Sequence, residues 1–448
     1  MDTIIAKATP SGESALAILR ISGAMSSEIA KNACKCLAIQ PRFAKLAYYH
    51  DLNENILDQV VITFFDKNKS YTGDFMLEIS CHGNPLISEL ICKDLVERGC
   101  RLAMPGEFTK LAFINGKIDL SQAEAVAQII SAKSHKLLTA VQRNLKGDLS
   151  NKLIKIQDLI LGLQASIEAN IDFPEDDIEP SKPELQKNLA NSIINEINYL
   201  LKKATHSKYL QKNIRICLIG KPNAGKSSLF NEMIGKRRAL IHEQAGTTRD
   251  YLEMEINLGS QVVTVVDTAG IHQTMSEVEQ AGVELSYEQA VEADFIVWVV
   301  DDSVPYPSDL PQNFCKLIES KPTILVRNKA DLTSNNTNFY ADKIYQIQIS
   351  CVTKSGIKEF LRELNIQINR LFDDESGEDL FIGQRHEQLI KKCHQEVELF
   401  LKSLDNKTGF EIISANLTQA REYIDEMIGK KTNENMLDKL FGQFCIGK

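Results

Sequence analysis

The 448-residue sequence lacks a C-x-x-C pair, a long apolar run and an excess of basic residues. Its ten cysteines are scattered without zinc-binding spacing, which favours reduced thiols in a cytoplasm. No stretch approaches the roughly 18 apolar residues of a membrane-spanning helix, and we expect no signal peptide and no membrane attachment. The formal net charge of −9 excludes a uniformly basic surface for nucleic acid. Any RNA contact must therefore be local.

Two short basic runs are candidates for such a local contact. They are Lys202, Lys203, His206, Lys208, Lys212 and Arg215, and then Lys236, Arg237 and Arg238. The alternative for each run is a solvated helix face.

A phosphate-binding loop lies in the middle of the chain, where Gly220–Ser227 reads G-K-P-N-A-G-K-S directly after an apolar run. Gly220 and Gly225 let backbone N–H groups curl around phosphate oxygens with no Cβ in the way. Lys226 supplies a positive charge to the outer phosphates, and Ser227 offers a hydroxyl to Mg2+ at the start of a helix. Strand, loop and helix follow in the required order.

Three further segments extend the pattern to a GTPase. Asp267–Gly270 ends an apolar strand, where the Asp267 carboxylate can hold Mg2+ through water. Asn328–Asp331 ends the next strand, and the Asp331 carboxylate can accept hydrogen bonds from N1–H and the 2-amino group of guanine. Adenine does not offer this pair of donors, so the segment selects GTP over ATP. Ser350–Val352 follows a third strand and suits the loop that closes over the base.

The catalytic water requires an unusual partner. Gly246–Asp250 fits the first switch, with Thr248 as the second hydroxyl on Mg2+. Ile271 follows Gly270 and begins the second switch, Ile271 to Glu284, and its alkyl side chain cannot orient water. Glu279 is our candidate, with a solvated surface charge as the alternative. Asn223 is a second candidate because its amide oxygen can coordinate a monovalent cation, with a turn-forming role equally open.

The sequence thus predicts a defined set of nucleotide-site residues. The catalytic candidates are Glu279, Asp267, Lys226 and Thr248. The predicted GTP contacts are Asn223, Ala224, Gly225, Lys226, Ser227, Gly246, Thr247, Thr248, Asp267, Thr268, Ala269, Gly270, Asn328, Lys329, Ala330, Asp331, Ser350, Cys351 and Val352.

The fold class predicted for the chain is multidomain, α/β plus all-α. Residues 1–119 alternate short apolar runs with turns and predict a mixed α/β domain. Residues 120–212 are helical, and we expect a capping box at Ser121–Glu124 to open the first long helix. The GTPase domain, 213–375, then interrupts this helical domain, which resumes over 376–448.

Several segments outside the GTPase motifs are distinctive. They are Asp2–Ala6, Ile18–Gly23, Pro105–Phe108, Leu120–Ala125, Asn170–Pro174 and Cys445–Lys448. With the nucleotide motifs, these segments make essentially the whole chain resemble the tRNA-modifying GTPases of the MnmE family, also called TrmE.

This resemblance implies a homodimer held by N-terminal domains that bind tetrahydrofolate, as 5-formyl or 5,10-methylene tetrahydrofolate. The positions that match the folate site are Arg20, Glu78, Lys117 and Lys448. Cations suit the glutamate tail of a folate, and a carboxylate suits its pterin donors. Cys445 matches the family's cysteine, with one-carbon or uridine chemistry and a buried small thiol as the open alternatives.

The resemblance also implies ions and partners. Mg2+ is held by Ser227 and Thr248, and K+ by the set Asn223, His242, Gln244 and Thr247. The further GTP contacts that the resemblance implies are Ser228, His242, Glu243, Gln244 and Ala245. K+ takes the place of an arginine finger while two GTPase domains pair, and Glu279 orients the water. A heterotetramer with the FAD- and NADH-dependent flavoprotein MnmG adds an aminomethyl or carboxymethylaminomethyl group to C5 of the wobble uridine of tRNA. The alternatives are an Era-type ribosome-assembly GTPase and a folate-dependent aminomethyltransferase-like enzyme with a regulatory GTPase.

Overall fold

The computed structural model describes residues 2–132, 134–172, 183–211, 214–235, 252–259, 261–267, 287–304, 312–332, 344–370, 380–406 and 410–447. The chain divides into two compact units. One contains Met1–Ser131, Val141–Leu201 and Gln384–Lys448, and the other contains Ala132–Ala140 and Lys202–Gly383.

The first unit begins with a mixed sheet that has six strands within the described residues, in the order β3-β4-β5-β2-β1-β6. The strands are β1 Ile4–Lys7, β2 Leu16–Ser22, β3 Ala44–His50, β4 Ile56–Phe65, β5 Met76–His82 and β6 Arg101–Leu102. The accompanying helices are α1 Ser26–Asn32, α2 Pro85–Glu97 and α3 Glu107–Ile114. Leu19, Ile62 and Ile79 point to a buried core. Since side chains alternate along a strand, Arg20 and Glu78 lie on the opposite face, directly across from each other.

Long helices follow in the next part of the chain, as the sequence predicts. They are α4 Leu120–Ser131, α5 His135–Leu145, α6 Asp148–Asp172 and α7 Pro183–Gln211. The predicted capping box at Ser121–Glu124 is wrong. Asp119 and Gln122 form the reciprocal pair instead, because the Gln122 N–H donates to Asp119 Oδ1 (2.9 Å) and the Asp119 N–H donates to Gln122 Oε1 (3.0 Å). Ser121 and Glu124 instead turn inward to contact His386.

The second unit holds a sheet in the order β12-β11-β10-β7-β9-β8. Its strands are β7 Ile214–Ile219, β8 Leu252–Leu258, β9 Gln261–Asp267, β10 Phe295–Asp301, β11 Thr323–Asn328 and β12 Tyr345–Gln348, with helices α8 Lys226–Ile234, α9 Gln312–Ser320 and α10 Ile357–Arg370. All neighbours pair in parallel except β8, which runs antiparallel to β9. Apolar cores lie on both faces of this sheet. The carboxyl ends of the parallel strands therefore meet at one edge, where α/β sheets bind ligands.

The chain ends in α11 Gln384–Asp405, α12 Phe410–Ile428 and α13 Glu434–Phe441. Helix α12 packs against both α11 and α6. The α6–α12 contact includes buried amides, since Gln164 Nε2 donates to Thr418 Oγ1 over 2.9 Å. Within the described residues, no helix has the length and apolar character needed to cross a membrane.

Candidate functional site

The loop between β7 and α8 has the backbone that a phosphate site requires. Gly225 is the residue before α8 and has a φ of +94°, in the left-handed region. A Cβ there would lie 2.0 Å from Asn328 Nδ2, and a Cβ on Gly220 would lie 2.1 Å from the Val299 carbonyl oxygen. Both glycines are thus required by close packing as well as by conformation. Asn223 also adopts a positive φ, of 63°, which an Asn in a turn tolerates.

Lys226 lies inside this loop and is 7% exposed. Its Nζ donates to the carbonyl oxygens of Gly220 (2.8 Å) and Lys221 (3.0 Å). Burial lowers the pKa of Lys226, and the nearby Asp267 carboxylate opposes this shift. A desolvated cation at the first turn of a helix attracts phosphate oxygens more strongly than a cation in water.

Asn328 links the end of β11 to the phosphate loop. Its Nδ2 donates to the Ala224 carbonyl oxygen over 2.9 Å, and its Oδ1 accepts from the Cys351 N–H over 3.3 Å. The side chain is 2% exposed. One buried amide thus connects three segments that the sequence assigns to the nucleotide site.

The Asp331 carboxylate is oriented by the loop after β12. Ser350 Oγ donates to Asp331 Oδ1 over 2.5 Å and accepts from the Thr353 N–H over 3.1 Å. Ala330 N–H donates to the Ile349 carbonyl oxygen over 3.1 Å, which joins the two loops through their backbones. The geometry places the acceptor predicted for guanine beside the loop predicted to close over the base, in which Val352 is exposed.

Two described side chains, Ser227 and Asp267, carry oxygen donors of the kind that a magnesium ion binds. Ser227 is exposed at the first turn of α8, and Asp267 ends β9 opposite Leu218 of β7. A hydroxyl and a carboxylate are oxygen ligands of the kind that Mg2+ takes together with water and phosphate. No group of three or more His, Cys, Asp or Glu side chains suited to a metal occurs in the described part of the chain.

Part of the predicted site lies outside the described residues. This holds for His242, Glu243, Gln244, Ala245, Gly246, Thr247, Thr248, Thr268, Ala269, Gly270, Glu279 and Lys448. Lys212 and the second basic run, Lys236 to Arg238, also fall outside them. In the first run Lys203 is 3% exposed, so it cannot contribute to an RNA surface.

The first unit carries the second predicted site, on the sheet face opposite the core. Arg20 Nε and Glu78 Oε1 lie 2.8 Å apart, and their side chains are 28% and 26% exposed. Arg20 Nη1 also donates to the Gly447 carbonyl oxygen over 3.4 Å. Lys117 is engaged elsewhere, since its Nζ donates to the Asn68 carbonyl oxygen. The structure therefore joins Arg20, Glu78 and the end of the chain.

The segment that carries Cys445 is anchored beside α3. Gly106 N–H donates to the Cys445 carbonyl oxygen over 3.4 Å, and Lys110 Nζ lies 2.6 Å from Asp438 Oδ1. The Cys445 side chain is exposed. This contradicts the alternative of a buried thiol.

Comparison with known proteins assigns the family. Residues 3–117 match the family model of the GTP-binding protein TrmE N-terminus, and residues 120–445 match that of the MnmE helical domain. The chain belongs to the MnmE (TrmE) family.

Curated MnmE relatives match over the full length. Proteins named tRNA modification GTPase MnmE are 38% identical in Aquifex aeolicus, 34% in Thermotoga maritima and 32% in Haemophilus influenzae, each over 100% of both chains. These matches confirm the resemblance that the sequence motifs predict. They also confirm the fold class of mixed α/β and all-α parts with a phosphate-loop GTPase fold.

A solved structure of Era from Aquifex aeolicus, bound to GDP and AlF4−, matches 41% of this chain and 67% of its own. The identity is 22% and the TM-score is 0.29.

Reasoning from motifs missed two carboxylates of this MnmE-family chain at the end of β10. Asp301 Oδ2 lies 2.5 Å from Lys329 Nζ, and Asp302 Oδ1 lies 2.7 Å from Arg327 Nε. The available signal was an acidic pair after an apolar strand, the same kind of position that drew attention to Asp267.

Proposed function

We propose that the chain binds and hydrolyses GTP and acts in the modification of tRNA. The observation that carries the proposal is the full-length similarity to tRNA modification GTPases. The carboxyl ends of β7, β9, β11 and β12 lie at one edge of the sheet, which supports the proposal independently.

Each loop has a distinct task in this proposal. The backbone from Gly220 to Gly225 and the Lys226 ammonium bind the phosphates, and Asp331 accepts from guanine. Ser227 and Asp267, with Thr248, would hold Mg2+, which neutralises developing phosphate charge. Glu279 orients the attacking water, and a K+ ion would be held by the set Asn223, His242, Gln244 and Thr247.

The GTPase part is tested by turnover measurements on the full chain. We expect hydrolysis of GTP and not of ATP, and faster hydrolysis in K+ buffer than in Na+ buffer. Equal rates in the two buffers would contradict the cation role of Asn223. Asp267→Ala should abolish turnover while fluorescent GDP still binds.

The proposed product is a wobble uridine that carries an aminomethyl or carboxymethylaminomethyl group at C5. A flavoprotein of the MnmG type would supply FAD and use NADH, and a heterotetramer of the two proteins would act on tRNA in the cytoplasm. Nucleoside mass spectrometry of tRNA from cells without this protein should show unmodified wobble uridine. Fully modified wobble uridine in those cells would contradict the proposal.

Folate binding at Arg20 and Glu78 would supply the one-carbon unit, with Lys117, Lys448 and Cys445 as further candidates. The charge pattern supports this proposal, because a cation suits the glutamate tail and a carboxylate suits the pterin. Titration with 5-formyl tetrahydrofolate should give saturable binding that Arg20→Ala removes. Binding that is unchanged in this variant would contradict the site.

A homodimer formed by residues 1–119 completes the proposal. The uncovered face of β3 and β4 supports it, because Leu46 (62% exposed) pairs in register with Val61 (39%), and Tyr48 (51%) is close by. Leu46→Asp should shift the sedimentation mass toward a monomer, whereas Leu399→Asp on α11 should not. We further propose domains at 1–119, 120–212 with 376–448, and 213–375.

A further inference from the structure

Asp301 at the end of β10 contacts the segment Asn328–Asp331 that is proposed to bind guanine. It pairs in register with Asn328, the last residue of β11. Asp301 Oδ2 is 2.5 Å from Lys329 Nζ, and Asp301 Oδ1 accepts from the Ser303 N–H (2.9 Å) and the Ser303 Oγ (2.6 Å). Both carboxylate oxygens are thus engaged, which fixes the direction in which Asp301 presents its charge.

Lys329 is constrained on both sides. Asn328, just before it, is tied to the Ala224 carbonyl oxygen, and Asp331, two residues later, is held by Ser350. Lys329 itself has a φ of +66°, in the left-handed region. Its side chain extends from the end of β11 to the Asp301 carboxylate at the end of β10. The stem of a lysine is apolar and can cover a flat surface while the ammonium is paired.

We infer that Asp301 is a positioning residue for the guanine base: by holding Lys329 Nζ, it fixes the Lys329 stem as one wall of the base-binding site. This inference rests on the proposed GTP binding. Asp331 recognises the edge of the base in that proposal, and the Lys329 stem packs against its plane. Without the contact to Asp301, the Lys329 side chain samples many rotamers. Nucleotide binding then has to restrict it to one rotamer, and this loss of entropy weakens binding.

The charge of Asp301 is maintained by its partners. Burial alone would raise the pKa of Asp301, but the hydrogen bonds from Lys329 and Ser303 outweigh burial and hold that pKa below its ordinary value. The carboxylate is therefore ionised at neutral pH, where it attracts the Lys329 ammonium. The Asp301 and Lys329 side chains are 18% and 31% exposed, so the ion pair is partly accessible to solvent.

The neighbouring Asp302 has a different task and provides a matched control. Its Oδ1 accepts from Arg327 Nε (2.7 Å) and its Oδ2 from Gln348 Nε2 (2.9 Å). The Asp302 and Arg327 side chains are only 9% and 8% exposed. Asp302 thus ties β10 to β11 and β12 within the framework of the sheet. The same Asp→Asn change should affect stability at position 302 and nucleotide release at position 301.

The test measures release of fluorescent GDP from the full chain by stopped flow. The variants are Asp301→Asn, Lys329→Met and the double variant, because Met keeps the apolar stem and removes the ammonium. We expect Asp301→Asn to speed release about five-fold, as expected for a partly exposed ion pair, and to leave the melting temperature of the nucleotide-free protein within about 2 °C of wild type. In the Lys329→Met background, Asp301→Asn should have no further effect. Asp302→Asn should instead lower the melting temperature by several degrees.

Three results would overturn the inference, and one of them would also overturn the proposed GTP binding. Equal acceleration by Asp301→Asn in both backgrounds would show that Asp301 does not act through Lys329. Unchanged release in Asp301→Asn, from a wild type that binds GDP, would remove only the role of Asp301. Failure of the wild type to bind GDP would overturn the proposed function and this inference with it.

Discussion

Asn328 donates a hydrogen bond from Nδ2 to the Ala224 carbonyl oxygen over 2.9 Å, which joins the end of β11 to the phosphate loop. The two residues are 104 positions apart in the chain. Because the same amide also accepts from the Cys351 N–H, it connects the proposed phosphate loop to the loop that is proposed to close over the base.

Asn328→Asp removes the Nδ2 donor while keeping the size of the side chain. It leaves the Ala224 carbonyl oxygen without its partner and brings a carboxylate close to it. Losing one partner of a buried hydrogen bond costs about 1–3 kcal/mol, so we expect GDP affinity to fall roughly 10- to 100-fold. Equilibrium titration with fluorescent GDP measures the change. The exposed Asn231 on α8 provides the control, since Asn231→Asp makes the same change of charge outside this network. Equal losses in the two variants would mean that charge alone is responsible.

The ion pair between Arg20 and Glu78 gives a second prediction. Glu78→Gln keeps the size of the side chain and removes the charge that orients Arg20. Because both side chains are about a quarter exposed, we expect the free energy of unfolding to fall by no more than about 1 kcal/mol. Affinity for 5-formyl tetrahydrofolate should fall by about ten-fold, because the site loses an anionic acceptor. Glu54→Gln removes the partner of Lys35 in an exposed pair and should leave folate affinity unchanged. A large loss of stability in Glu78→Gln would instead assign a structural role to the pair.

Local sequence predicted the second unit well where one signal dominated. The apolar run before the phosphate loop forms strand β7, Ile214–Ile219, because the run ends at Gly220, a glycine that packing requires. The capping box was mistaken because two overlapping boxes occur within six residues. Asp119 with Gln122 and Ser121 with Glu124 both have the spacing of a box. The choice between them depends on the contact of Ser121 with His386, which is 265 positions away. The local sequence carries no information about that contact.

Pairings between distant strands were also beyond local prediction. Arg20 and Glu78 are 58 positions apart on neighbouring strands, and only the family resemblance selected them. Asp301 was missed because an acidic residue at a strand end has the same local pattern whether it binds an ion or a lysine. The register of β10 with β11 decides between these roles, and register follows from the packing of the whole sheet.

The buried His386 predicts a pH dependence of stability. Its Nε2 lies 3.0 Å from Ser121 Oγ, and its Nδ1 lies 3.3 Å from Glu124 Oε2, beside Arg385. Burial lowers the pKa of His386 to about 4, with the Glu124 charge opposing and the Arg385 charge reinforcing the shift. An unfolded histidine has a pKa of about 6.5, so below that pH the unfolded chain binds the proton before the folded chain does. The contribution to stability is therefore complete above pH about 6.5 and is lost as pH falls through about 4.

Because of His386, we expect the free energy of unfolding to fall by about 2 kcal/mol between pH 7 and pH 5. His386→Gln removes the titrating group, so its melting temperature should fall less over this interval than that of the wild type. His394→Gln, two turns further along α11, changes a less buried histidine and should keep the wild-type dependence. Parallel curves for the wild type and His386→Gln, measured by circular dichroism, would contradict the assignment.

The close approach of Gly447 to β1 predicts how the end of the chain is held. Gly447 has a φ of +90°, and a Cβ there would lie 2.8 Å from the Lys7 carbonyl oxygen. Gly447→Ala therefore combines the cost of a left-handed alanine, about 1–2 kcal/mol, with a backbone clash. The tail should detach from β1 and lose the bond from Arg20 to the Gly447 carbonyl oxygen. Amide hydrogen exchange in residues 434–447 should then accelerate by roughly ten-fold. Gly162→Ala is the control, because Gly162 is a helical glycine with nothing within 4 Å of an added Cβ, and its exchange should be unchanged or slower. Wild-type protection of the tail in Gly447→Ala would show that the tail is held without this approach.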